Sequence, residues 1–373
     1  MDTQTISPLR LLAKAAVLFL ALNLLFGAIN PLPALVQISL YNTLLPGRQR
    51  LPYGDDPQRA YNLNLYSVEA MFASHVLTAA PKPPDEFRVF VIGDSSVWGF
   101  LLENKDTLTA ALNSANLHSA DGRQVVFYNL GHPTISLTKD LMLLDEAMQY
   151  EPDLILWPTT LEAFPWDKQL ASPLVQNNPQ RVSILVSNYQ LPIITDQLPS
   201  QSPLSNPFFV SQRRNLADLL RLQLYGFAWA ATGIDVHIPD EYESHAIDLE
   251  ADESYGGLER ELERGELAFE VLAAGVQRAG GVPVLIINEP IFASDGANSH
   301  LRYNSFYPRW AYDGYRSLLA AEAEAQGWHY ADLWQAASNA EFTNTPIHLT
   351  PRGTLQFADA IIEALSAQFD LNP

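Results

Sequence analysis

Residues 88–99 read Arg-Val-Phe-Val-Ile-Gly-Asp-Ser-Ser-Val-Trp-Gly, and the fold prediction starts from this stretch. The branched and aromatic side chains over 88–92 are typical of a short buried strand. The next four residues, 93–96, form a turn that places a serine hydroxyl at the carboxyl end of this strand. In an open α/β sheet that end faces the ligand crevice. The stretch therefore predicts a strand, a turn and a helix with a functional hydroxyl at Ser95, or at Ser96 if the turn is shifted by one residue.

Composition narrows the class of function. The 373 residues include 22 Lys and Arg against 42 Asp and Glu, a net charge of −20 that argues against nucleic-acid binding. Cysteine is absent from the sequence, which excludes disulfides and a cysteine nucleophile but does not fix the compartment. The histidines show no H-x-x-x-H spacing, and the acidic stretch over 240–266 lacks the ligand spacing of an EF-hand. We expect neither a metal nor a cofactor.

The N-terminal region contains an almost wholly apolar stretch over residues 11–29. As a helix it would span roughly 28 Å, close to the ~30 Å hydrocarbon core of a bilayer. Arg10 and Lys14 lie at its start, and no charge follows until Arg48, so the positive-inside rule places the N-terminus in the cytoplasm. A cleaved signal peptide and a buried helix of a soluble protein are the alternatives, although a small-x-small cleavage site is missing. We expect residues 1–30 to be a cytoplasmic tip and single-pass anchor, with the rest of the chain outside the cytoplasm at the cell membrane.

Residues 31–87 are predicted to be a connector. Pro and Gly residues mark turns near 46–47 and 52–57, and residues 61–77 have the pattern of one amphipathic helix. The run Pro81-Lys-Pro-Pro84 then forms a stiff link to the next region.

Strand and helix patterns alternate from residue 88 onward. The predicted strands are 88–92, 124–129, 153–157, 282–288 and 328–332, and the predicted helices are 107–117, 137–150, 258–279, 310–326 and 353–369. Such alternation is typical of a mostly parallel sheet with helices on both faces. We predict an α/β fold, a flavodoxin-like three-layer α/β/α sandwich, over residues 88–373.

One gap interrupts this alternation. About a hundred residues, 158–257, separate the third strand from the next helix pattern, which is too long for a plain connection. They contain one predicted helix at 211–231 and the start of the acidic stretch. We predict that this insertion after the third strand covers the crevice.

Three further motifs follow predicted strands. Gly131 follows the second strand, in Asn129-Leu-Gly-His-Pro133, and a glycine there allows the backbone to approach a ligand and present an N–H. The stretch 157–164 follows the third strand. His348 lies in a loop directly before the last helix. Together with Ser95, these residues offer a nucleophile, a base and an oxyanion donor, the parts that acyl transfer needs.

With these motifs the sequence resembles the SGNH (GDSL-like) hydrolase superfamily over about 88–369, apart from the insertion. The Gly93-Asp94-Ser95 block matches its first motif, Gly131 its second, and His348 with Leu349 and Gly353 its histidine block. The resemblance implies the SGNH hydrolase fold, Ser95 as nucleophile and its own amide as an oxyanion donor, with Asp94 among the supporting residues. It also implies His348 as base and an activity on esters of lipids or acetylated carbohydrates.

The chain departs from the family pattern at two places. The oxyanion asparagine of the third motif falls at or near Glu162, whose negative charge would repel an oxyanion. Glu162 could serve if protonated or as a carboxylate partner of His348, and Thr160 could donate instead. The family aspartate three residues before the histidine is Thr345 here, with Asn344 next upstream. An amide partner can stabilise the wrong imidazole tautomer, although some relatives work as a Ser-His dyad.

Two functions are compatible with these residues. The first is a membrane-anchored, extracytoplasmic serine ester hydrolase or acyltransferase that acts on an acylated envelope glycan or lipid. The alternative is an inactive SGNH-like protein that binds a glycan or a protein partner in an envelope assembly, since the asparagine and aspartate of the family pattern are missing.

Overall fold

A computed structural model of the protein describes residues 7–29, 44, 47–54, 67–198, 208–232, 238–247, 255 and 259–373. Its centre is a parallel sheet of five strands: β1 (Glu86–Val91), β2 (Gln124–Asn129), β3 (Leu154–Thr159), β4 (Val284–Asn288) and β5 (His329–Asp332). The strand order is β2-β1-β3-β4-β5, and every neighbouring pair is parallel. This is the flavodoxin-like order, so the predicted fold class and all five predicted strands are confirmed.

Helices connect and flank the strands. In chain order the described α-helices are α1 (Pro8–Ile29), α2 (Val68–Ala73), α3 (Ser95–Trp98), α4 (Leu108–Ser114), α5 (Leu137–Ala147), α6 (Pro173–Gln176), α7 (Pro179–Tyr189), α8 (Phe208–Thr232), α9 (Phe269–Ala279), α10 (Arg309–Gln326) and α11 (Pro351–Phe369).

The sheet separates two apolar cores because side chains alternate between the two faces of each strand. On one face Phe90, Ile155 and Ile286 pack against α5, α9 and α10. On the other face Val89 and its neighbours pack against α4 and α11; these neighbours are Val91, Leu154, Leu156, Leu285 and Ile287. Both faces are therefore buried, which explains why the strands read as nearly continuous apolar runs.

Two helix predictions are wrong in extent. Residues 259–268 are not α-helical: a short 3-10 turn over Arg264–Glu266 precedes α9, which begins only at Phe269. The side chains of Glu263 and Glu266 each accept the other's backbone N–H, and this capping box starts the short turn, which ends at Leu267 in extended conformation. The helix predicted over 61–77 is α2, over 68–73; its first residues, 61–66, lie outside the described residues. Ser74 ends α2 by donating its backbone N–H to Met71 O.

Segments of the region between β3 and α9 have different neighbours. Helices α6 and α7 pack against α5, on the far side of one core. The segment 238–247 instead reaches the carboxyl edge of the sheet, where the backbone N–H of His245 donates to Phe342 O at 2.8 Å and Tyr242 Oη donates to Leu101 O at 2.9 Å. The segment 238–247 of the insertion therefore lies against the carboxyl edge of the sheet, while α6 and α7 lie elsewhere.

Helix α1 is separate from these layers in character. Its stretch Pro8–Phe26 has a mean hydropathy of 2.0 and none of it is buried in the protein. By length and composition this helix can cross a membrane or serve as a signal sequence.

Candidate active site

The carboxyl ends of the four neighbouring strands β2, β1, β3 and β4 bring four motifs to one edge of the sheet. Ser95 follows β1, Gly131 follows β2, Glu162 follows β3 and Glu289 follows β4. In the strand order β2 lies on one side of β1, and β3 lies on the other side, so the order reverses between β1 and β3. Ligand sites of open parallel sheets form at such switch points. The first three of these positions were predicted from sequence, and the fourth was not.

The nucleophile turn, residues 93–96, is held by Asp94. Its buried side chain caps α3 by accepting the backbone N–H of Ser96 at 2.8 Å. Because Ser95 is the first residue of α3, no carbonyl within the helix accepts its backbone N–H. Gly93 allows the tight approach, since a Cβ there would lie 2.6 Å from Val97 Cγ2. The turn thus presents both the hydroxyl and the amide of Ser95.

Ser95 and His348 meet directly although 253 positions separate them in the chain. Ser95 Oγ lies 2.7 Å from His348 Nε2, and His348 Nδ1 lies 2.9 Å from Asn344 Oδ1. An amide oxygen accepts hydrogen bonds only, so Nδ1 carries the proton and Nε2 is left to accept the Ser95 hydroxyl. This is the tautomer of a general base, and the expectation that an amide partner could impose the wrong tautomer does not apply to this geometry.

The histidine loop, residues 342–350, fixes the ring by its backbone. Thr345 Oγ1 accepts the backbone N–H of His348 at 3.1 Å, and the backbone N–H of Thr343 donates to His348 O at 2.9 Å. Thr345, at the place of the family aspartate, therefore stabilises the loop and not the imidazole. The hydrogen-bond partner of the imidazole Nδ1 is Asn344.

Burial keeps His348 neutral. Its side chain is about 7% exposed and Phe100 stacks on the ring at 4.9 Å between centroids. Loss of hydration disfavours the imidazolium and lowers the pKa of His348 to about 4. Since its Nδ1 faces an amide oxygen, no carboxylate there offsets this effect. At pH 7 the ring is consequently an unprotonated base in contact with Ser95.

A small pocket opens beside this pair. Ser95, Ser96, His348 and Glu289 provide its polar wall, and the rest is apolar, formed mainly by Phe100, Leu102, Leu108, Ile347, Leu349 and Phe357. The space open to the centre of a water molecule is about 10 Å³, close to the minimum for one water. The cavity therefore has room for a small group next to Ser95 Oγ.

A buried lysine forms hydrogen bonds to the turns that follow β1 and β2. Lys139 of α5 is fully buried, and its ammonium donates to Gly93 O at 2.8 Å and to His132 O at 2.6 Å. It also pairs with Asp140 Oδ1 at 2.7 Å. One side chain thus joins the turn after β1 to the turn after β2.

The titratable groups around Lys139 are shifted toward their neutral forms. Burial raises the pKa of Asp94 and of Asp140, and Lys139 partly counters both effects. Burial, with the nearby lysine, lowers the pKa of His132 to about 3. Within the described residues, no group of three or more His, Asp or Glu side chains is placed to hold a metal ion.

Gly131 differs from its predicted role. Its backbone N–H donates to Asn129 Oδ1 at 3.1 Å and is therefore engaged within its own turn. A Cβ at this position would lie 2.5 Å from Trp98 N, so the glycine is needed for α3 to pack against the turn after β2. The requirement for glycine is steric.

Thr160 and Glu162 also have other partners. Thr160 is buried and its Oγ1 lies 3.0 Å from Tyr307 Oη. Glu162 forms an ion pair with Lys168. The hypothesis that Glu162 is the carboxylate partner of His348 is wrong, because Asn344 occupies that position. The three expected partners of an oxyanion other than Ser95, namely Gly131, Thr160 and Glu162, are all engaged elsewhere in the fold.

Sequence reasoning missed two parts of the site, Glu289 and the segment around His245. Glu289 is the first residue after β4, and a carboxylate directly after a predicted buried strand is the signal that could have identified it. His245 braces the histidine loop from the insertion, with its Nδ1 3.1 Å from Thr343 O. No sequence pattern ties that segment to residues a hundred positions away.

Comparison with known proteins gives only distant likenesses. No protein-family model matches the chain, and no curated protein does. Among solved structures, the chain is similar to a member of the lipolytic protein G-D-S-L family from Veillonella parvula DSM 2008, with 9% identity, a TM-score of 0.35 and coverage of 74% of this chain and 96% of that one. A carbohydrate acetylesterase family member from Sinorhizobium meliloti has 12% identity and a TM-score of 0.34 over 76% and 99% of the two chains. The aryl esterase of M. smegmatis has 12% identity and a TM-score of 0.32 over 75% and 98%.

Proposed function

We propose that this chain is a divergent SGNH-type serine ester hydrolase or acyltransferase. The observation that carries the proposal is the hydrogen-bonded row from Ser95 Oγ through His348 to Asn344 Oδ1, with the basic nitrogen of the ring on the serine. A nucleophile within hydrogen-bond distance of a base that a third group orients is the recurring arrangement of covalent acyl transfer.

In the first half-reaction His348 Nε2 removes the proton of Ser95, and Oγ attacks the carbonyl carbon of the ester. The carbonyl oxygen becomes an oxyanion, to which the backbone N–H of Ser95 donates. The intermediate collapses, the C–O bond to the alcohol breaks, and His348 returns its proton to the leaving alcohol. The product is an acyl group on Ser95.

In the second half-reaction an acceptor hydroxyl replaces the alcohol. His348 deprotonates water or a sugar hydroxyl, which attacks the acyl carbon and releases Ser95. Water as acceptor gives hydrolysis and a glycan or lipid hydroxyl gives acyl transfer, so the same residues serve both reactions.

The pocket favours a short acyl group. Its inner wall is apolar and its open space is close to that of one water molecule. An acetyl methyl can occupy such a space, whereas a long fatty acyl chain cannot unless the pocket widens. We infer that the substrate is an acetyl-type ester carried on a glycan or lipid.

We place this reaction outside the cytoplasm, at the membrane. The apolar, unburied stretch Pro8–Phe26 supports an anchor, and Arg10 and Lys14 at its start favour a cytoplasmic N-terminus. An envelope glycan or lipid is the acylated material that such a location would offer.

The test is hydrolysis of p-nitrophenyl acetate and p-nitrophenyl octanoate by the full-length protein in detergent. We expect turnover of the acetate to exceed that of the octanoate, and we expect Ser95→Ala or His348→Ala to lower kcat by about 10⁴-fold or more. Ser183→Ala is a matched control, since this serine is exposed on α7 and bonds only within that helix.

A fluorophosphonate probe supplies a second readout, because it labels an activated serine without requiring the right ester. We expect labelling at Ser95 that is lost in His348→Ala. A folded protein with neither turnover nor labelling would contradict the proposal and favour the inactive glycan- or partner-binding alternative. The observation that motivates this alternative is the absence of the asparagine and the aspartate of the family pattern.

A further inference from the structure

Glu289 is a buried carboxyl group at the edge of the pocket. It is about 2% exposed, follows β4 directly and lines the same cavity as Ser95 and His348. Its backbone N–H donates to Thr159 O at 3.1 Å, and its Oε2 accepts the hydroxyl of Ser96, the neighbour of the nucleophile. The chain therefore holds this carboxyl firmly next to the nucleophile turn.

The two carboxyl oxygens of Glu289 differ in their hydrogen bonds. Within the part of the chain that the structure describes, the buried Oε1 atom has no hydrogen-bond partner. A buried polar atom without a partner destabilises the folded state, so its presence calls for an explanation. Because Glu289 lines the adjoining pocket, a ligand bound there can supply a partner.

The charges around Glu289 favour its neutral acid form. Burial and the nearby carboxyl of Asp94 raise its pKa well above the usual range, and Asp140 adds to this, while Lys139 opposes it only weakly. The ammonium of Lys139 is already shared by Gly93 O, His132 O and Asp140. The other titratable groups that face Glu289 are His348 across the pocket and three buried tyrosines on and before α10, Tyr307, Tyr312 and Tyr315.

A second oxyanion donor is needed, and the expected ones are engaged. Gly131 N–H bonds Asn129, Thr160 bonds Tyr307 and Glu162 bonds Lys168. The SGNH pattern places an asparagine amide in this role, and the chain has none at that position. A neutral carboxylic acid can replace an amide here, because its O–H is a hydrogen-bond donor that carries no charge.

We propose that Glu289, as a neutral carboxylic acid, donates a hydrogen bond from Oε1 to the developing oxyanion and so takes the place of the missing asparagine. The inference rests on the proposed ester chemistry at Ser95. Ser96 positions the group by donating to Oε2, which leaves the acid proton on the oxygen that has no partner in the fold. Donation is strongest when the carbonyl oxygen carries its negative charge, so Glu289 acts on the transition state more than on bound substrate.

The experiment compares Glu289→Gln and Glu289→Leu with the full-length wild type from pH 5 to 10, using p-nitrophenyl acetate. We expect Glu289→Leu to lower kcat by about 10²–10³-fold with little change in KM, since it removes a transition-state donor. Glu289→Gln keeps an N–H donor and is expected to retain kcat within about tenfold. In wild type kcat falls at high pH as Glu289 ionises and repels the oxyanion, and in Glu289→Gln this fall disappears.

Three results would overturn the inference while leaving Ser95 chemistry intact. They are wild-type kcat in Glu289→Leu, an equal loss in both variants, and a wild-type rate that rises as Glu289 ionises. Circular dichroism and thermal unfolding identify a variant that fails to fold, in which case the pH profile of Glu289→Gln decides. Glu270→Leu, a change at an exposed carboxylate of α9, is the control. If wild type itself shows neither turnover nor labelling at Ser95, the proposed function fails first.

Discussion

The histidine loop and the nucleophile turn face each other across one pocket but are built on different electrostatics. Behind His348 lies a neutral amide, and burial alone shifts the ring. Beneath the nucleophile turn lie three buried carboxyl groups, Asp94, Asp140 and Glu289, with one buried ammonium, that of Lys139. The loop that carries the base thus lacks a carboxylate, whereas the turn that carries the nucleophile has a surplus of carboxyl groups.

This difference predicts opposite pH dependence for the two regions. The pKa of His348 is lowered, so an unfolded chain binds more protons at this residue between pH 4 and 6.5, and stability falls as the pH falls. The pKa values of Asp94 and Glu289 are raised, so the folded chain holds more protons there, and stability falls as the pH rises. The fold therefore favours the neutral forms of the groups around the pocket, and ionisation of either the histidine or the carboxyl groups lowers stability.

The largest effect is expected from Lys139→Met, which removes the cation from the carboxyl side. Asp140 then loses its ion pair and keeps only the indole N–H of Trp157. His132 O loses its donor, and Gly93 O keeps only the backbone N–H of His132. We expect a loss of about 3–5 kcal/mol in the free energy of unfolding. The loss is larger at pH 8 than at pH 5, where the carboxyl groups take up protons. Urea unfolding at both values measures it.

The matched control is Lys105→Met. Lys105 pairs with Glu103 but its side chain is 71% exposed, so we expect the free energy of unfolding to stay nearly unchanged. A loss below about 1 kcal/mol for Lys139→Met would contradict the view that the ammonium stabilises the two turns beyond their direct bond from His132 N–H to Gly93 O.

A smaller effect is expected from His348→Gln on stability in acid. The wild type loses up to about 3 kcal/mol at His348 between pH 6.5 and 4, since each pKa unit corresponds to ~1.4 kcal/mol. The variant lacks this share, although His75 and His132, whose pKa values burial lowers to about 4 and about 3, still contribute. If the free energies of unfolding of the wild type and of His348→Gln change by the same amount between pH 7 and pH 4, the lowered pKa of His348 is disproved.

The smallest effect is expected from Asn344→Asp, which gives the histidine side the charge it lacks. A carboxylate at this position, where Asn344 Oδ1 lies 2.9 Å from His348 Nδ1, stabilises the imidazolium and raises the pKa of His348. We expect the acid limb of kcat/KM to move to higher pH and kcat at pH 8 to rise about tenfold, or ~1.4 kcal/mol. Asn344→Ala, which removes the partner altogether, is expected to lower kcat instead. An acid limb that does not move would show that Asn344 does not govern the ring.

The parts of the fold that were predicted correctly depend on local chemistry. Five apolar runs, each next to a helix pattern, were sufficient for the five strands and their parallel arrangement, because burial of both sheet faces leaves a continuous apolar signal. Ser95 and His348 could be identified because a turn after a strand and a loop before a helix both leave short motifs. That the two side chains act together was implied by the family resemblance, and their contact at 2.7 Å could not be derived from either motif.

The parts that were predicted wrongly or missed depend on which partner a side chain finds. One alternative made Glu162 the carboxylate partner of His348, and its ion pair with Lys168, six residues away, removes it from that role. The Gly131 amide was expected at the oxyanion, and Asn129 accepts it instead. Competition between partners is a property of distances in the folded chain, and one-dimensional spacing does not report it.

By itself, the sequence determined the layers, the strand ends that carry function and the chemical types available there: a serine, a histidine and no cysteine. These follow from periodicity and turn chemistry, which act over a few residues. Only the tertiary structure decided that Asn344 orients the imidazole, that Lys139 joins two turns, and that Glu289 reaches the pocket with an unused oxygen. These depend on burial, because the loss of water at each group sets both its protonation and its need for a partner.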